Sequence, residues 1–130
     1  MPFTLLIVDD NDAFRGMLCT ALAMRGHVAI PARSGLDALA LVADDRIEAV
    51  LADIDMPGMD GFELAQRLDA QSRSAGREVP VWIMTGTLRP GLDKRAAKVG
   101  AVLLLRKPLR VEDTCAQIEA ELNRRKALAS

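Results

Sequence analysis

The sequence has no tyrosine, one tryptophan, one histidine and two cysteines among 130 residues. Cys19 and Cys115 lie far apart, form no C-x-x-C pair and are accompanied only by His27. Neither a zinc site nor a disulfide framework is therefore expected. A charge excess of one sign is missing too: a net charge of −1 leaves no broad basic field for nucleic acid or an anionic membrane. Long hydrophobic runs are also absent, since the opening "FTLLIV" stops at Asp9 and Asp10, too short for a signal peptide and far short of a membrane span. Together these absences predict a cytoplasmic chain that contacts neither nucleic acid nor membrane directly and meets its partners through a local patch. No repeat, low-complexity tract or interior linker breaks the sequence.

Apolar residues are plentiful. At 50% hydrophobic, a chain of this length can bury one continuous core, and residues 1–130 are expected to form one domain with no recognisable output domain. Five aliphatic runs read as strands: "TLLIVD" (4–9), "HVAIPA" (27–32), "AVLAD" (49–53), "VPVWIMT" (79–85) and "AVLLLRK" (101–107). The first, third and fifth are nearly continuous rather than alternating, the pattern of a parallel sheet covered on both faces. Between the runs, apolar residues recur at helical spacing: Phe14, Leu18, Ala21 and Leu22; Leu36, Leu39 and Ala43; Leu64, Ala65 and Leu68; Val111, Cys115, Ile118 and Leu122. Ser34 and Asp60 are placed to cap the second and third helices. The fourth, after "TGTLRPG", is expected to start late, with Thr87 or Arg89 before about two helical turns. Such βα alternation predicts an α/β fold with a doubly wound, five-stranded parallel sheet in the order 2-1-3-4-5, whose site lies beyond the carboxyl ends of strands 1 and 3.

At those ends stand Asp9 with Asp10, then Asp53, Thr85 and Lys107. Carboxylates brought within roughly 4 to 6 Å repel by about 4 kcal/mol per close pair at an effective dielectric of about 20, so the cluster needs a cation. An all-oxygen set suits Mg²⁺, with Mn²⁺ as a substitute. Asp10 and Asp53 are the expected direct ligands, Asp9 a ligand through water, and the backbone carbonyl of Asp55 a further candidate. With Lys107 and the Thr85 hydroxyl, this constellation can receive a phosphoryl group on Asp53 and return it to water.

These residues sit in motifs that resemble the receiver domain of two-component response regulators: "VDD" (8–10), "DIDMPGMDG" (53–61), "MTG" (84–86) and "KP" (107–108), across essentially the whole chain. The resemblance implies a chemotaxis-regulator-like sheet and a phospho-accepting signalling module rather than an enzyme. It implies that Asp53 is phosphorylated from a phosphohistidine on a sensor histidine kinase or phosphotransfer protein, with Mg²⁺ at Asp9, Asp10 and Asp53. It also implies that Lys107 contacts the phosphoryl group, that Thr85 moves toward it, that the Lys107–Pro108 bond is cis, and that the phospho-state governs binding of a downstream protein by a monomer or weak dimer.

The chain departs from the family at two switch positions. Leu104 stands where most members carry Tyr or Phe, and Gly86 follows Thr85 where Ala is commoner. Either the signal bypasses the usual ring-and-threonine coupling, or Leu104 fills the same groove without switching. Two other classes fit parts of the acidic string. A haloacid dehalogenase-like phosphohydrolase would use Asp53 and Asp55 as nucleophile and acid, but Pro57 replaces the Thr or Val of that motif. A calcium loop would use Asp53, Asp55 and Gly58, but position 12 is Leu64 instead of Glu. The remaining polar and soft residues have plainer readings: Asp12 as surface charge on the first helix, Trp82 and Cys115 as packing, and "NRRKALAS" as a solvated helix end.

Overall fold

The computed structural model describes residues 2–44, 46–86, 91–99, 102–107 and 110–129. These form β1 (Thr4–Val8), α1 (Asp12–Met24), β2 (Val28–Ala32), α2 (Gly35–Leu41), β3 (Ala49–Asp53), α3 (Gly61–Ser74), β4 (Val81–Thr85), α4 (Leu92–Val99), β5 (Val102–Arg106) and α5 (Val111–Ala129). All strands are parallel and lie in the order β2-β1-β3-β4-β5, the doubly wound order expected from the alternation.

Successive strand residues point to opposite sides, and two cores result. One gathers Leu6, Val8, Val50, Ala52, Val81 and Ile83 with residues of α2, α3 and α4. The other gathers Leu5, Ile7, Ala49, Leu51, Trp82 and Met84 with residues of α1 and α5. Trp82 and Cys115 are thus packing residues, as read from the sequence. Every residue of β3 and β4 is buried, whereas β2, at the edge, is half open; of the near-continuous runs, β1 and β3 are covered as expected.

Helix starts follow local chemistry. Ser34 Oγ accepts the Asp37 N–H at 3.2 Å, and an Asp60 carboxylate oxygen accepts the Glu63 N–H at 2.8 Å, as expected for N-caps. Asn11 caps α1 by accepting the Phe14 N–H at 3.0 Å. β4 begins at Val81 rather than Val79, because Pro80 has no N–H for the ladder; its carbonyl still accepts from Val50 at 3.0 Å.

The apolar stripe of α2 is corrected in part. Leu36 is 69% exposed and Ala43 lies past the helix end, while Gly35, Ala38 and Val42 face the core and Leu39 packs against its edge as expected. The cause is proximity: a Cβ on Gly35 would lie 2.7 Å from Met59 Sδ, so the smaller stripe turns inward. α4 spans about two turns, as expected, after Gly91 at φ +86°; Thr87 and Arg89, proposed as its entry, lie outside the described residues.

Candidate functional site

Strand register assembles the site. Val8 pairs with Ala52, which sets Asp9 level with Asp53 on the adjacent strand. Asp53 pairs with Met84 and Thr85 with Arg106, so Thr85 and Lys107 each stand one residue beyond a paired position. The Lys107 N–H donates to the Thr85 carbonyl at 2.7 Å, closing the row.

Ligand oxygens of Asp9, Asp10 and Asp53 all lie within 4.8 Å of one another. Asp9 and Asp53 are buried and Asp10 is exposed, so the cluster opens to solvent on one side. Asp9 Oδ1 accepts the Asn11 N–H at 2.9 Å, but Oδ2 is buried with no hydrogen-bond partner among the described residues. Burial pushes the Asp9 carboxyl above the ordinary aspartate value, and the charges of Asp53 and Asp10 add to that, against the Asn11 N–H and Lys107. A buried carboxylate oxygen without a donor, in an all-oxygen donor set, fits a hard divalent cation such as Mg²⁺. The carboxylate of Asp55 is not a member of this group; Asp55 is exposed, and a paired D-x-D nucleophile and acid gains no support.

Lys107 Nζ lies 3.1 Å from Asp53 Oδ1. Thr85 is buried at the end of β4, within the same row of strand ends. Pro108, and with it the expected cis bond, lies outside the described residues. A Cβ on Gly86 would come no closer than 3.9 Å to Lys107 Cδ, so Ala, the commoner residue, would fit there. Leu104 is partly buried against the core beneath α2, α3 and α4.

The loop after Asp53 is held by backbone contact. Gly58 takes φ +82°, and a Cβ on Gly61 would meet the Asp53 carbonyl oxygen at 2.7 Å. Gly61 also donates to the Ile54 carbonyl at 2.9 Å. The start of α3 therefore rests on the end of β3 itself. Burial raises the Asp60 carboxyl, yet the Glu63 N–H and Arg95 outweigh it and hold the group below the ordinary value, which keeps the cap charged.

The family model for the response regulator receiver domain matches residues 5–119. The chain belongs to that family. Curated receiver-containing relatives include Response regulator MprA of Mycolicibacterium vanbaalenii, 36% identical over 126 residues, covering 95% of this chain and 52% of the relative. Another is Response regulator MprA of Mycobacterium ulcerans, 34% identical over 128 residues, 97% of this chain and 53% of the relative. The receiver spans about half the length of these relatives. Among solved structures, chemotaxis protein CheY4 of Vibrio cholerae superposes with a TM-score of 0.82 at 28% identity, covering 92% of this chain and 98% of that one. A receiver domain protein from Clostridium thermocellum gives 0.83 at 26% identity, covering 97% and 98%. Receivers of two-component systems interact with histidine kinases and downstream targets, and the receiver family is one of signalling modules.

Several features of the receiver were not visible in the sequence. Arg15 on α1 is buried and donates to the Asp9 carbonyl at 2.7 Å, while Asp12, exposed as expected, pairs with it. His27 accepts the Phe3 N–H on Nδ1 at 3.0 Å and meets Glu119 through Nε2 at 2.6 Å. Neither polar residue gives a periodicity signal. The cap at Asn11, by contrast, could have been found from an Asn directly before a helical stripe.

Proposed function

We propose that Asp53 accepts a phosphoryl group from the phosphohistidine of a sensor histidine kinase or phosphotransfer protein. The phosphorus–nitrogen bond of the donor breaks, a bond from phosphorus to an Asp53 carboxylate oxygen forms, and the histidine nitrogen recovers its electron pair. Attack by water on the acyl phosphate then returns carboxylate and inorganic phosphate. The observation that carries this reading is the cluster of the Asp9, Asp10 and Asp53 carboxylates, with one buried Asp9 oxygen lacking a partner among the described residues and Lys107 against Asp53.

Asp10 and Asp53 would hold Mg²⁺ directly, Asp9 through water, and Asp55 through its backbone carbonyl. The bound ion supplies positive charge against the phosphoryl oxygens. Lys107 offers a second cation there, and the Thr85 hydroxyl donates a hydrogen bond. The phosphorylated state then alters which protein the domain binds, in the cytoplasm, as a monomer or weak dimer. Partial burial of Leu104 in the α2, α3 and α4 core favours the reading in which it fills the aromatic residue's groove rather than switching.

Incubation with Mg²⁺ and a small phosphodonor is expected to add one phosphoryl group per chain by intact mass, and Asp53→Asn to prevent it. Labelling retained in Asp53→Asn but lost in Asp55→Asn would overturn the assignment.

A further inference from the structure

The Lys107 ammonium faces two partners. Asp53 Oδ1 lies 3.1 Å away, and on another side the Phe14 ring centroid lies 4.7 Å from Nζ, within the range of a cation–π contact. Phe14 is well fixed for this. Its backbone N–H is held by the Asn11 cap, and its ring packs partly against the α1 and α5 core. Lys107 itself is 29% exposed, and its four-carbon stem has many rotamers unless something selects one.

Its ion pair with Asp53 cannot make that selection alone through the reaction, because phosphorylation turns the Asp53 oxygen into the bridging oxygen of an acyl phosphate and moves the negative charge outward onto the phosphoryl oxygens. The ring keeps its quadrupole in both states. We propose that Phe14 is a positioning residue for phosphoryl transfer, holding the Lys107 ammonium at the acceptor by its aromatic face. This rests on the reading that Asp53 is the acceptor. A leucine at position 14 would cover similar apolar area, so aromatic character separates positioning from packing.

The test measures the labelling rate with a small phosphodonor at saturating Mg²⁺, alongside the Mg²⁺ dissociation constant and the thermal midpoint. Phe14→Leu is expected to slow labelling about three- to tenfold with the Mg²⁺ constant unchanged, and Phe14→Tyr to recover most of the loss. In a Lys107→Ala background, Phe14→Leu is expected to cause no further slowing. Phe14→Met, with a flexible stem that packs in the same space, replaces the leucine variant if that one lowers the folded fraction. Wild-type speed in both Phe14→Leu and Phe14→Met would overturn the proposal, as would an undiminished loss in the Lys107→Ala background. Those outcomes leave the acceptor reading standing if wild type labels in an Asp53-dependent way; absence of labelling in wild type strikes the acceptor reading instead.

Discussion

The two faces of the sheet are built by different means. On the α1 and α5 face, large side chains fill the space and long polar ones tie its rim: Arg25 and His27 meet Glu119, Arg125 meets Glu78, and Lys126 lies over the Phe3 ring. On the α2 and α3 face, glycines bring the backbone itself against its neighbours, with Gly61 against the Asp53 carbonyl and Gly35 against the Met59 side chain. The first face can adjust through rotamers. The second has no such slack where its contacts are backbone. The site straddles both: Asp53 is set by the rigid face, while Lys107 touches Phe14 from the adjustable one.

The sharpest way to break this contrast is Gly61→Ala. Its Cβ would meet a main-chain oxygen at 2.7 Å, and a loss of about 3 kcal/mol in urea unfolding is expected, the upper end for overpacking. A midpoint equal to wild type would show that α3 can move off β3. Next, Mg²⁺ at about a hundred times its dissociation constant is expected to add about 2.7 kcal/mol to unfolding. The gain comes from the acid cluster where the faces meet, and Asp10→Asn is expected to remove most of it. A thermal shift that survives the substitution would place the ion elsewhere.

On the adjustable face, Glu119→Gln is expected to cost about 1 kcal/mol, a value discounted for partial exposure. Arg25 first, then His27, hold the Glu119 carboxyl down from 4.5 to about 2. A group depressed in the folded state contributes above its unfolded pKa and loses that contribution as pH falls through its folded one. The wild type should therefore weaken between about pH 4.5 and 2, and the variant should lack that part of the acid limb. Parallel acid curves would dismiss the role. The smallest effect is expected for Gly35→Ala, under about 1 kcal/mol, because the atom it meets at 2.7 Å ends a flexible methionine side chain. A cost equal to that of Gly61→Ala would erase the distinction between backbone and side-chain contacts.

The same contrast explains what the sequence made legible. Strands, their order and the residues at their carboxyl ends could be read because aliphatic runs and topological rules depend on residue type alone. The caps at Ser34 and Asp60 were equally local. The stripe of α2 was misread at Leu36 and Ala43, while Leu39 does pack against the core: Gly35, Ala38 and Val42 share the same helical spacing, hydrophobicity favours the larger set, and the close approach to Met59 at Gly35 is invisible to spacing. Gly61 gave no signal of its own, since its steric reason lies in the Asp53 carbonyl. Arg15, His27 and the contact of Phe14 with Lys107 depend on where long side chains reach, which spacing does not encode.

One detail of β5 sets a measuring rule for the domain. Leu104 packs toward α2, α3 and α4, Leu105 toward α1 and α5, and Lys107 reaches Asp53. Sliding β5 by one residue would exchange the two leucines between cores and carry the ammonium about 3.3 Å along the strand. A single insertion between Leu104 and Lys107 would therefore disconnect the lysine from Asp53. In such a chain the strand acts as a gauge, with its two leucines as graduations and its lysine as the pointer.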